Sequence, residues 1–170
     1  MHKIKLIVTD IDGVWTDGGV YYSSNGEALK KFNFKDGGGV VLANYAKIPV
    51  IILSGENSKS VSMRMKKLNI KEVHLGIKNK FNYLSELCST KSLSLEEVAY
   101  LGDDINDLKL IQECGYTSCP YDASRTIKQN CSNILKSKGG EGAFREFVEN
   151  ILIELNMLDI ALDLYCKDKT

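Results

Sequence analysis

Two aspartates, Asp10 and Asp12, follow the apolar run Ile4-Lys5-Leu6-Ile7-Val8 and Thr9, with Gly13 right behind them. An apolar run that closes in a polar, glycine-bearing turn reads as a buried strand with both carboxylates at its carboxyl end. In an open α/β sheet, ligands gather in the crevice beyond such strand ends. Three further places carry polar groups at a strand end or a helix start. Val50-Ile51-Ile52-Leu53 ends in Ser54-Gly55-Glu56, Lys80 stands at the beginning of an amphipathic stretch, and Val98-Ala99-Tyr100-Leu101 runs into Gly102-Asp103-Asp104-Ile105-Asn106-Asp107. Converging on one crevice, carboxylates, hydroxyl and ammonium suit a magnesium ion and a phosphoryl group. Oxygen ligands hold magnesium, whereas Lys and Ser hold phosphate oxygens. With that ion in place Asp10 is expected to attack phosphorus and become an aspartyl phosphate, while Asp12 acts as acid and then as base.

The elements that must position these groups alternate along the chain. After Asp17-Gly18-Gly19, the arms Val20–Ser24 and Glu27–Phe34 flank Asn25-Gly26, a strong hairpin signal. Asp36 with Gly37-Gly38-Gly39 is expected to open a helix running to about Lys47, the triple glycine supplying flexibility at its start because it lacks dinucleotide-fingerprint spacing. Asn57 or Ser58 caps the helix after Ser54, with Val61, Met65 and Leu68 on one face. A strand near Val73–Gly76, a helix over Lys78–Cys88 with Phe81, Leu84, Leu87 and Cys88 inward, and a capping box at Ser94-x-x-Glu97 precede the acidic strand end. Beyond it come a helix to Cys114-Gly115, a strand at Tyr116–Cys119, a helix from about Ala123 to Asn130, a short strand at Ile134-Leu135, and a helix after Gly139-Gly140-Glu141-Gly142. Met157–Tyr165 prolongs that last helix's apolar character. Short connections between alternating strands and helices imply a right-handed, doubly wound parallel sheet, an α/β three-layer αβα fold.

Composition narrows the classes. The chain has 170 residues, 44% hydrophobic and 26% charged, which suits one domain with a substantial core. Lys plus Arg balances Asp plus Glu at 22 each, so no overall charge argues for nucleic acid or an anionic membrane, and phosphate recognition has to be local. No apolar run approaches a membrane span or a signal peptide, so a cytoplasmic location is expected. Five cysteines, Cys88, Cys114, Cys119, Cys131 and Cys166, form no C-x-x-C pair and read as reduced thiols. His2 and His74 lack ligand-spaced partners and read as structural or surface residues.

In order and spacing these sites resemble the haloacid dehalogenase superfamily of phosphotransferases over most of the chain. The superfamily's D-x-D-G-x-x-x-D is matched by Asp10-Ile11-Asp12-Gly13 through Asp17, its strand-end hydroxyl by Ser54, its helix-start lysine by Lys80 and its acidic motif by Gly102–Asp107. The resemblance implies a Rossmann-like fold, Asp10 as nucleophile, Asp12 as general acid/base, and Ser54, Gly55 and Lys80 as phosphate ligands. It also implies magnesium held by Asp10, the Asp12 main-chain carbonyl and Asp103, with Asp107 supporting; Asp104 is left as a capping or outer group. The long D-G-V-W-T-D-G hairpin, Lys31-Phe32 with Asp36-Gly37, Gly76 with Asn79-Lys80, and Gly139-Gly140-x-Gly142-x-x-Arg145-Glu146 are similar to the capless branch acting on octulosonate 8-phosphate and nonulosonate 9-phosphates. Only a hairpin, about residues 14–34, separates the first motif from the next helix, so no cap domain is expected within a single domain spanning 1–170 whose C-terminal helix and tail occupy about 142–170.

That branch implies a phosphorylated 2-keto-3-deoxy sugar acid as substrate and a homotetramer in which neighbours cover the site. An exposed ribbon bearing Trp15, Val20, Tyr21, Tyr22 and Phe32 points the same way, because it carries more apolar surface than a free hairpin should expose. Glu56 stands where the octulosonate enzymes present a basic residue, which favours the nonulosonate 9-phosphates. Glu56 would accept hydroxyl hydrogen bonds from the sugar or pair with Lys67, and Arg64 or Lys67 would meet the substrate carboxylate. A phospho-receiver module is the rival class, but it needs its acceptor Asp on a middle strand, and here that strand ends in Ser54. A catalytically silent interaction protein on the same scaffold is the other, against which the intact acidic and lysine positions argue.

Overall fold

Along residues 4–169, which the computed structural model describes, the elements follow one another as β1 (Leu6–Thr9), β2 (Tyr21–Ser23), β3 (Gly26–Leu29), α1 (Phe34–Tyr45), β4 (Val50–Leu53), α2 (Lys59–Lys67), β5 (Glu72–His74) and α3 (Lys80–Thr90). Then come β6 (Val98–Leu101), α4 (Leu108–Glu113), β7 (Tyr116–Cys119), α5 (Arg125–Asn130), β8 (Asn133–Ile134), α6 (Ala143–Glu154) and α7 (Leu158–Asp168). Six strands form a sheet in the order β5-β4-β1-β6-β7-β8, every pairing parallel. The strand order reverses at β1, whose register sets Thr9 opposite Ile52 on one side and Leu101 on the other. The ends of β1, β4 and β6 therefore lie at one level, so the residues following Thr9, Leu53 and Leu101 open into the same crevice.

Strand alternation separates two cores. Ile7, Ile52, Ala99 and Leu101 face α1, α2, α6 and α7 through Val40, Met65, Phe144, Phe147 and Ala161, whereas Leu6, Val8, Ile51, Leu53 and Tyr100 face α3, α4 and α5 through Leu84, Leu110 and Ile127. This is the expected three-layer doubly wound fold. Among the described residues nothing larger than the β2–β3 ribbon stands between β1 and α1, and no helix is long and apolar enough to cross a membrane.

Several local expectations change. Asp36 does not open α1: Asn33 does, its side chain accepting from the Lys35 amide at 3.0 Å. The buried Asp36 instead reaches across to the next layer and accepts the Arg145 amide at 3.1 Å, capping α6, whose own N-cap, Gly142, has no side chain to do so. Burial pushes the Asp36 carboxyl up to about 6. The triple glycine lies inside α1, and its reason is packing: a Cβ on Gly39 would stand 3.1 Å from the Phe144 ring and 3.2 Å from Arg145 Cα. Of the two caps expected for α2, Ser58 is the one used, as expected, accepting from the Val61 amide. The C-terminal helix is two helices, because Asn156 takes the left-handed conformation at φ 54° and lets the chain turn before α7 packs on α1. Tyr45 closes that contact with a 2.6 Å hydrogen bond to Asp168 and an edge-on ring contact to Tyr165.

Trp15 also departs from expectation. It is fully buried, stacked on Phe144 with centroids 4.3 Å apart, and its Nε1 donates to Thr9 Oγ1. Phe32 packs partly against the same core. Val20, Tyr21, Tyr22 and Leu29 are the ribbon side chains left exposed. All five cysteines are free thiols, with Cys119 Sγ and Cys131 Sγ 3.2 Å apart. His74 shares a 2.8 Å hydrogen bond with the Tyr83 hydroxyl, whereas His2 lies outside the described residues.

Candidate active site

Each group arrives in the crevice from a different strand or helix end. Asp10 follows β1, and its amide is tied to the Leu101 carbonyl at 2.9 Å, which fixes it against β6. Lys80 is the first residue of α3, held there by the Asn79 cap on the Asn82 amide. Asp103 and Asp107 belong to the loop after β6, where Asp107 ends a short 3-10 turn. The Lys80 ammonium lies 2.7 Å from Asp10 Oδ2 and 2.6 Å from Asp107 Oδ1. Carboxylate oxygens of Asp10, Asp103 and Asp107 all fall within 4.8 Å of one another.

Asp107, expected only to support the site, is its most connected member. Besides Lys80 it accepts the Tyr100 hydroxyl at 2.6 Å and the Asp103 amide at 3.0 Å. It thereby ties strand, loop and lysine together from a fully buried position. Asp104 takes the capping role at the start of that turn and lines the open cleft with Asp10, Asp12 and Asp103. Gly13 is needed here on two grounds: its φ is +76°, and a Cβ would stand 1.9 Å from Asp103 Oδ2.

The charge balance suits the cluster to a cation. Burial, followed by the charge of Asp107, pushes the Asp10 carboxyl up to about 7 even though Lys80 opposes the shift. Burial and then the charges of Asp10, Asp107 and Asp104 push Asp103 up to about 8. Burial would pull the Lys80 ammonium down, but Asp10 and Asp107 outweigh it and raise it. Three clustered carboxylates against one ammonium leave an excess negative charge that a divalent ion would cancel, with oxygen donors of the kind hard cations take. Buried, like-charged groups of shifted pKa in a cleft are the usual mark of a functional site.

The remaining expected residues divide. Asp12 lines the cleft beside Asp10. Ser54 is buried at the end of β4 and accepts the Glu56 amide at 3.2 Å; its neighbour Gly55 comes close to the Asn106 side chain on the cleft rim. Glu56 is exposed. Lys67 is exposed at the far end of the nine-residue α2, and no ion pair joins it to Glu56 among the described residues. Arg64 is half-buried and donates to the Asn33 carbonyl at 3.2 Å, at the start of α1. The structure thus assembles the acidic and lysine groups, and it shows no ion pair among Glu56, Arg64 and Lys67 in the described residues. Two participants escaped the sequence reading. Tyr100 could have been found from strand alternation, which sends its side chain toward Asp107's layer; Lys30, ion-paired with Asp12 from the hairpin, carries no signal that separates it from Lys31.

A parallel sheet whose switch-point crevice gathers strand-end carboxylates around a helix-start lysine defines an α/β enzyme built to handle an anionic group together with a cation. The chain belongs to the haloacid dehalogenase-like hydrolases, whose family profile matches residues 45–147. Among its relatives, the 3-deoxy-D-manno-octulosonate 8-phosphate phosphatase KdsC of Haemophilus influenzae is 38% identical over 152 residues, covering 89% of this chain and 84% of that protein. The Escherichia coli K12 enzyme of the same name is 35% identical over 159 residues, covering 94% of this chain and 85% of its own. A solved structure of 3-deoxy-D-manno-octulosonate 8-phosphate phosphatase from Moraxella catarrhalis, in complex with magnesium, phosphate and KDO, matches with a TM-score of 0.91 at 32% identity, covering 96% of this chain and 94% of that one.

Proposed function

We propose that this protein is a magnesium-dependent phosphomonoesterase acting on a phosphorylated 2-keto-3-deoxy sugar acid. The observation that carries the reading is the carboxylate triad Asp10, Asp103 and Asp107, in which Lys80 bridges the buried pair Asp10 and Asp107. Asp10, the main-chain carbonyl of Asp12 and Asp103 would hold magnesium, with Asp107 fixing the loop. When bound, the ion neutralises the carboxylates and draws charge from the phosphoryl oxygens, without which the acidic cluster would repel the substrate. Asp10 supplies the nucleophilic oxygen, Lys80, Ser54 and Gly55 hold the phosphoryl group, and Asp12 gives a proton to the leaving alcohol and later takes one from water. A phospho-receiver would lack such an efficient base and would stay phosphorylated.

The names of the relatives support a sugar-acid phosphate substrate. Within that class, exposed Glu56 beside the Ser54-Gly55 loop favours the nonulosonate 9-phosphates over octulosonate 8-phosphate, by offering an acceptor for hydroxyl groups of the longer sugar. The chain would work as a single cytoplasmic domain and assemble as a homotetramer, neighbours covering the open cleft with the exposed ribbon.

One phosphate-release assay, run with both sugar-acid phosphates, tests this reading. Activity should vanish in chelator and in Asp10→Asn, and Glu56→Arg should shift the kcat/KM ratio toward octulosonate 8-phosphate. Turnover in Asp10→Asn equal to the parent would overturn the enzyme assignment, and an unchanged ratio in Glu56→Arg would remove the selectivity claim.

A further inference from the structure

Lys30 stands where the hairpin returns to the body of the protein, one residue past β3. Its side chain is only 2% exposed, and its ammonium is ion-paired with Asp12 Oδ1. Lys31 next to it is open to solvent and pairs with Asp17 at 3.1 Å on the surface. A lysine is almost never buried this deeply unless a carboxylate compensates the lost hydration. Asp12, by contrast, keeps 28% of its side chain exposed on the cleft side. Among the described residues, Asp12 Oδ2 makes no hydrogen bond or ion pair, and no backbone amide donates to this carboxylate. The Lys30 ammonium is the tether on the side chain.

We propose that Lys30 is a positioning residue for proton transfer by Asp12, an inference that rests on the phosphatase reading above. Holding Oδ1 fixes the carboxylate's orientation and leaves Oδ2 to exchange the proton. In the first half-reaction an Asp10 oxygen bonds to phosphorus, the bond from phosphorus to the ester oxygen breaks, and that oxygen departs as an alcohol with the proton from Asp12 Oδ2. In the second, the oxygen of water bonds to phosphorus while its proton passes to Asp12, and the bond to Asp10 breaks to release inorganic phosphate. Both transfers require Oδ2 within about 2.6–3.2 Å of its partner. An untethered carboxylate on a glycine-flanked turn would sample that geometry only part of the time. Because the tether comes from the hairpin, the ribbon's seating on the body becomes part of the acid/base machinery.

The test separates proton transfer from mere anchoring of the hairpin. In the magnesium-loaded protein, kcat/KM is measured for octulosonate 8-phosphate, whose alkoxide needs a proton to leave, and for p-nitrophenyl phosphate, whose phenolate does not. This parameter spans the steps up to departure of the leaving group. Lys30→Met should lose about tenfold or more on the sugar phosphate, within the range of general-acid effects, and less than about threefold on the aryl phosphate. Lys30→Arg should recover most of the difference. The double variant Lys30→Met/Asp12→Asn removes both charges of the Lys30–Asp12 pair, and it should be no slower on the sugar phosphate than Asp12→Asn alone. Equal losses on both substrates, no loss on either, or additive losses in the double variant would each overturn the proposal. Failure of the phosphatase reading itself would show separately, as a parent protein inactive on both esters.

Discussion

Asp10 and Asp103 bind protons more readily in the folded protein than in the unfolded chain, at about 7 and about 8 against the ordinary 3.8. A carboxyl raised in this way makes no demand on stability below the unfolded value, and it penalises the folded state as pH rises toward the folded value. The metal-free protein should therefore lose stability between about pH 4 and pH 8. Asp36, raised to about 6, adds to the loss in the lower part of that window. Under the proposed function, bound magnesium would remove the penalty at Asp10 and Asp103 but not at Asp36. In thermal unfolding, the Tm measured in chelator should be lower at pH 8 than at pH 5.5, and added magnesium should raise Tm more at pH 8. An equal or smaller rise at pH 8 would mean that the carboxylates do not form the cation site.

Helices α1 and α6 show how one element is placed to serve another. Gly38 and Gly39 on α1 remove the side chains that would press on Arg145 and Phe144 of α6, and Asp36 then reaches the Arg145 amide in the first turn of α6. Phe144, drawn in by this close approach, stacks on Trp15 and so braces the turn that carries Asp12 and Gly13. Gly39→Val would force a branched side chain against the Phe144 ring and the Arg145 backbone. The expected loss of stability is about 1–3 kcal/mol, read as a shift of the urea midpoint at constant m-value. An unchanged midpoint would show that the glycine run serves helix-start flexibility after all.

At the scale of the whole molecule, the cleft is open and the ribbon beside it presents Val20, Tyr21, Tyr22 and Leu29 to solvent, Tyr22 at 76% exposure. A two-stranded ribbon is marginal by itself. The proposed assembly would bury that face and cover the cleft together, doing the work of a cap domain that the described residues do not form. Light scattering at micromolar concentration should give a tetramer mass for the parent and smaller species for Tyr22→Asp, with circular dichroism unchanged. A monomeric parent with full activity would rule the assembly out.

The order of strands and helices was legible because hydrophobic periodicity and strand-end punctuation are local: Val98–Leu101 and Tyr116–Cys119 could be read residue by residue. The types and chain order of Asp10, Ser54, Lys80 and Asp103 were local too, and they sufficed to name a chemistry. Tertiary structure decided what depends on distance between segments far apart in sequence. The parallel register set three strand ends level, Asp107 proved the hub of the cluster, Asp36 capped a helix 109 residues away, and Trp15 turned inward while the neighbouring tyrosines stayed out. Lys30 and Lys31 are adjacent, identical side chains, yet one is buried against Asp12 and the other lies on the surface. Only the path of the folded backbone distinguishes them, because burial and ion pairing depend on what the rest of the chain brings alongside.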